Sequence, residues 1–116
     1  MTRAAKRKRG ALLVVAMDID PDHEQQLNEW YPRHLESRLR LPGFRTARRF
    51  RAVDGRPRYL TLYELDDADA ALSNAYFSAP PDPGRAELAK HWDIRVRAVY
   101  EEISVNPESG ESHKGT

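Results

Sequence analysis

The side chains in this 116-residue chain best suited to moving a proton or holding a small molecule fall between Trp30 and Tyr63. Trp30, Tyr31, His34 and Arg38 are spaced as neighbours on one side of a helix. At about 100° per residue, with Leu27 at zero, they fall at about −60°, +40°, −20° and +20°. His34 therefore sits at the centre of an apolar stripe. An imidazole, with an ordinary pKa of about 6.5, can act as acid or base if it reaches a cavity; the alternative is a packed histidine bonded to a backbone carbonyl. Pro32, inside the same segment, removes an amide donor and is expected to kink the helix and re-aim the residues after it.

Two strand-like runs supply the other candidates. Arg48 and Arg49 are adjacent, so they point to opposite sheet faces. One of them is expected to hold an anionic or phenolate ligand, unless both serve surface ion pairs. Tyr59 and Tyr63 share a face and can donate hydrogen bonds to a substrate oxygen, or pack across a dimer. Trp92 is expected to close the core. Other chemistries lack their residues. There are no cysteines, so disulfides, thiolates and Cys-ligated zinc are excluded. The histidines at 23, 34, 91 and 113 have no metal-binding spacing, and no metal site is expected. A phosphate loop, a nucleophile elbow and a dinucleotide fingerprint are all missing.

The elements that must position these groups can be read in order. Ala11 to Asp18 is short, β-branched and apolar, as for a central strand covered on both faces. Asp20 caps a helix with Pro21 at its first position, and Pro42-Gly43 stops it after Leu41. Phe44 to Val53 and Arg58 to Leu65 form a hairpin around Asp54-Gly55. Asp66 or Asp67 caps a second helix over Ala68 to Phe77, with Leu72, Ala75 and Tyr76 on one side. After a proline-rich loop and a helical turn over Arg85 to His91 comes the last strand, Asp93 to Val105. The order βαββαβ is that of the α+β ferredoxin-like fold, a four-stranded antiparallel sheet with two helices on one face. Tyr59, Thr61 and Tyr63 are expected on the uncovered face, where a second copy would enclose them in a homodimer.

Four segments, taken together, carry a family resemblance: Trp30-Tyr31-x-x-His34, Leu41-Pro42-Gly43-Phe44, Ala47-Arg48-Arg49-Phe50, and Arg58 to Leu65. In this order and spacing they resemble the EthD-like branch of the dimeric α+β barrel superfamily, over about residues 12–103. The resemblance implies a ferredoxin-like protomer, a homodimer formed through the sheet faces, and a pocket between sheet and helices. It also implies a role for His34. Members of that branch often carry an acid just before this histidine; here the position is Arg33, so the resemblance leaves the imidazole's partner unassigned.

Composition sets the boundaries. At 40% hydrophobic and 32% charged residues, one soluble domain is expected over 11–106, with no membrane span. Residues 1–10 carry five basic groups and no acid, and read as a disordered basic leader; 107–116 read as a disordered tail. With the formal charge at +1, the leader at +5 and the tail at −1, residues 11–106 are left at −3. Nucleic-acid binding through the leader is a lesser alternative, and the sheet lacks the aromatic pattern of an RNA-recognition domain. The cytoplasm is the default compartment. The expected function is a cofactor-independent small enzyme. It acts on an aromatic or polyketide-like molecule, with His34 as acid or base and Trp30, Tyr31, Arg38, Arg48, Arg49, Tyr59 and Tyr63 around the substrate. The alternative is a non-catalytic binding or accessory dimer of the same fold.

Overall fold

The computed structural model describes residues 9–103. Most of the expected basic leader and the whole expected tail therefore lie outside the described residues. Four strands, β1 (Ala11–Ile19), β2 (Phe44–Arg51), β3 (Tyr59–Leu65) and β4 (Trp92–Glu101), form one antiparallel sheet in the order β2-β3-β1-β4. Helix α1 (Glu24–Leu39) follows β1, and the short helices α2 (Asn74–Phe77) and α3 (Arg85–Ala89) follow β3. This is the expected ferredoxin-like topology, with its helical segments on one face.

The local chemistry explains the element ends. Asp20 accepts from the Asp22 amide at 3.0 Å, and Pro21 opens a single 3-10 turn before α1. Helix α1 runs unbroken through Pro32 and buries Leu27, Tyr31 and His34 against the sheet. After Leu39, Gly43 at φ 85° turns the chain into β2; a Cβ there would come within 2.6 Å of the Ala70 Cβ.

The second helix departs from expectation. A 3-10 turn, Ala68–Ala71, is capped by Asp67, and Ser73 then accepts from the Tyr76 amide at 3.2 Å and starts α2. This second cap resets the helix phase. Tyr76 packs against the core, while Leu72 and Ala75 are exposed.

The faces of β3 are the reverse of the expected assignment. Tyr59, Thr61, Tyr63 and Leu65 are buried beneath the helices, and Leu60, Leu62 and Glu64 lie on the uncovered face. Leu13 pairs with Tyr63 and Val15 with Thr61, so one row of alternate residues forms the core floor. One cluster gathers Leu13, Phe44, Tyr63 and Leu65; a second gathers Met17, Leu27, Tyr31, Tyr59 and Leu88. Full burial of Leu13, Leu27, Leu65 and Leu88 contributes about 1.5–3 kcal/mol each. No helix among the described residues is long and apolar enough to cross a membrane.

Candidate functional site

A cavity of about 80 Å³ opens between the sheet and α1, lined among others by Trp30, Tyr31, His34, Arg38, Tyr63 and Trp92. Its floor follows from the register. Leu13 stands beside Tyr63 on β3, and Val15 stands beside Arg97 on β4. Outside it lies a wider vestibule of about 390 Å³, which shares Arg38, Tyr76, Arg85 and Arg97 with the cavity. Together they reach the size of ordinary small-molecule sites, about 300–1,000 Å³.

His34 is 9% exposed and held on every side. The Trp30 indole stacks on it at 4.5 Å between centroids, and Tyr31 meets it edge-on at 5.3 Å. Its Nδ1 donates to Asp82 Oδ2 at 2.6 Å, and both side chains are nearly enclosed. A carboxylate acceptor fixes the proton on Nδ1. Nε2 makes no hydrogen bond to the described residues, and His34 lines the cavity. Burial lowers the His34 pKa most, Asp82 opposes it by favouring the charged ring, and Arg38 and Arg85 add to the lowering. At neutral pH the ring is uncharged and can accept a proton.

The loop that supplies Asp82 is fastened to the same helix. Trp30 Nε1 donates to Pro83 O at 2.7 Å, so the tryptophan that stacks on His34 also anchors the residue after Asp82. Gly84 caps α3 at φ 89°, and a Cβ on it would come within 3.3 Å of Trp30 Cδ1. With Arg33 just before His34, the sequence leaves the histidine's partner open. The acid comes instead from a proline-rich loop 48 residues away.

The other expected site residues divide. Trp30, Tyr31, His34, Arg38 and Tyr63 line the cavity. Burial raises the pKa of both Tyr31 and Tyr63, so both hydroxyls stay protonated as donors at any ordinary pH. Tyr59 does not line it. Its hydroxyl donates to Glu24 and accepts from Asn28 Nδ2 at 3.2 Å, and its proton is already committed. That bond and the neighbouring Arg58 hold the Glu24 carboxyl below its ordinary range.

Arg48 and Arg49 point to opposite faces as expected, yet neither lines the cavity. Arg49 lies under α1, donates to Asn28 Oδ1 at 2.9 Å, and has its guanidinium 4.1 Å from the Tyr31 ring and 4.8 Å from the Tyr59 ring. Arg48 is on the exposed face beside Phe50. Arg85 and Arg97 take the place expected for this pair. The sequence does not single them out, because a lone arginine after Pro83-Gly84, or on an alternating strand, carries no pattern of its own.

Two other features have some attributes of a site. Asp20, His23 and His91 bring ligand-type atoms within 4.8 Å of one another, a grouping that sequence spacing does not reveal. The two imidazoles are stacked at 3.5 Å with planes 8° apart. Lone pairs lying in parallel planes do not converge on one ion, so this geometry is a stacked pair and no metal centre. A concavity of about 370 Å³ beside Glu64, Glu101 and Glu102 at the end of the sheet is lined by no histidine among the described residues.

The fold is that of a known architecture. The chain has the ferredoxin-like α+β fold seen in antibiotic-biosynthesis monooxygenases and their structural relatives. SnoaB, a cofactor-independent oxygenase from Streptomyces nogalater, is similar over 86% of this chain and 99% of its own, with 18% identity and a TM-score of 0.59. A protein from Shewanella loihica PV-4, named provisionally as a monooxygenase, is similar over 84% and 97% with 13% identity and a TM-score of 0.62. MhuD from Mycobacterium tuberculosis, a heme-degrader with two hemes bound in its active site, is similar over 82% and 97% with 17% identity and a TM-score of 0.55. At these identities the likeness concerns the fold. No protein-family model matches the sequence, and no curated protein does.

Proposed function

We propose that this chain is a small cofactor-independent enzyme that removes a proton from an aromatic or polyketide-like substrate, with His34 as the base and Asp82 as its positioning residue. The observation that carries this reading is the 2.6 Å contact between Asp82 and His34 Nδ1, which leaves an uncharged Nε2 for the cavity. A phenol or an activated C–H gives its proton to Nε2. The resulting imidazolium is stabilised by the Asp82 carboxylate. Tyr31 and Tyr63 hydroxyls donate to the oxygen on which charge develops, and Trp30 and Trp92 border the space for the flat body of the substrate. Similarity of fold to an oxygenase and a heme-degrader supports small-molecule chemistry in this architecture; the residue roles rest on the geometry.

Membership of the EthD-like branch, a place in secondary metabolism, a cytoplasmic location, and a homodimer through the uncovered sheet faces belong to the same proposal. The test is a thermal-shift screen of phenols, quinones and polyketide-like compounds, followed by turnover assays on the hits. A ligand at a hundred times its Kd should stabilise the fold by about 2.7 kcal/mol. His34→Ala should abolish turnover with the fold intact; retained turnover rejects His34 as the base. Binding without product for every hit, in the native chain as well, favours the accessory-protein alternative.

A further inference from the structure

Three guanidinium groups from three different elements converge on one opening. Arg38 comes from α1, Arg85 from α3 and Arg97 from β4, and all three line both the cavity and its vestibule. None has a carboxylate within ion-pair distance among the described residues. They are held by aromatic faces instead: Arg38 at 5.7 Å and Arg97 at 5.1 Å from the Tyr76 ring, and Arg85 at 5.2 Å from Trp92. Such contacts orient a guanidinium and leave its N–H fork unused. By contrast Arg45, Arg56, Arg58 and Arg95 each meet an acid. Asp82, the acid that meets the cavity histidine, is committed to His34.

Three like charges around one mouth repel each other. Residues 11–106 carry a net charge of −3, so general basicity does not explain their gathering. A ligand of opposite charge does. We infer that the mouth formed by Arg38, Arg85 and Arg97 receives the carboxylate of an aromatic acid whose ring enters the cavity beside Trp30 and His34. This deepens the proposed function, on which it rests, by naming the substrate class.

A planar carboxylate matches the guanidinium fork bidentately. Its arrival also changes the base. Arg38 and Arg85 depress the basicity of His34, and a carboxylate between them offsets that influence. The substrate thus strengthens the group that deprotonates it.

The test compares 1-hydroxy-2-naphthoate with its methyl ester by calorimetric titration of the full chain. The acid should bind at least about tenfold more tightly, a preference that shrinks as salt is raised. Arg85→Gln combined with Arg97→Gln should bring the two affinities within about threefold, while Arg85→Lys with Arg97→Lys keeps much of the preference. The His34 titration followed by NMR should move upward when the acid binds. Equal binding of acid and ester, binding of neither, or a preference that survives in the glutamine double variant overturns the inference. Affinity is measured without turnover, so a chain that prefers the acid but does not convert it counts against turnover of this acid and still supports the carboxylate-binding mouth.

Discussion

Opposed influences set the basicity of His34, and they can be separated. Burial, Arg38 and Arg85 lower its pKa; Asp82 raises it. Removing the carboxylate while keeping the shape, Asp82→Asn, should therefore move the His34 titration further down, as read by NMR of the imidazole. An upward or unchanged midpoint would show that the 2.6 Å contact does not carry the interaction assigned to it. The same shift has a consequence for stability. With the folded pKa below that of the unfolded chain, the unfolded state takes up protons first as pH falls. Stability should be level well above the ordinary histidine value of about 6.5 and decline below it. His34→Gln should flatten that first decline. Glu24 has a lowered carboxyl pKa, so its contribution is present above its unfolded value and is lost further into acid, as pH falls through the folded one. Of these groups, His34 was placed by helix spacing at the centre of the buried face, which left it open between a base and a packed ring. Asp82 was not: nothing in Pro80-Pro81-Asp82-Pro83-Gly84 marks an acid that meets a histidine 48 residues earlier.

Glycines at positive φ give the elements two separate weak points. Gly84 and Gly43 are at φ 89° and 85°, where a side chain costs about 1–2 kcal/mol before any clash. At Gly84 the added methyl meets Trp30, which both stacks on His34 and anchors Pro83. Gly84→Ala should lower ligand affinity and turnover more than a stability loss of that size explains. Gly43→Ala places a methyl 2.6 Å from the Ala70 Cβ, against a wall of the core. It should cost more stability, measured by chemical denaturation, and leave the His34 titration unchanged. Reversal of this pattern would mean that the loop does not position the site. Helix α1, the hairpin and the strand order were readable because capping and turn residues act locally. The faces of β3 were not. Tyr-Leu-Thr-Leu-Tyr alternates, but both rows are apolar enough for a core, and a hydroxyl does not tell which side the helices cover. Ser73 hid the break in the second helix, because a serine that starts a new cap has the same sequence look as one inside a helix.

At the scale of the molecule, the helices and both core clusters lie on one side of the sheet, and the other side is left open. There the register aligns Phe50, Leu60, Ala16 and Val96 in one row across the four strands, and Arg48, Leu62, Val14 and Ala98 in the next. Phe50 is 42% exposed and Val96 37%, and with the half-buried Leu60, Leu62 and Val14 they make a contiguous apolar face. Its occupant in the proposed homodimer is the same face of a second copy. Two sheets packed in this way bury their apolar rows, and a stable contact needs about 1,200–2,000 Å² in total. Val96→Glu tests the arrangement with little risk to the protomer, because a side chain this exposed can carry a carboxylate into water. Light scattering should give the native chain twice the 13.3 kDa protomer mass and the variant the protomer mass. A native chain at the protomer mass would reject the dimer. The Asp82–His34 pair lies on the opposite side of the sheet, under α1. The monomeric variant should therefore keep the His34 titration of the native chain, whatever the loss of the partner does to its thermal stability.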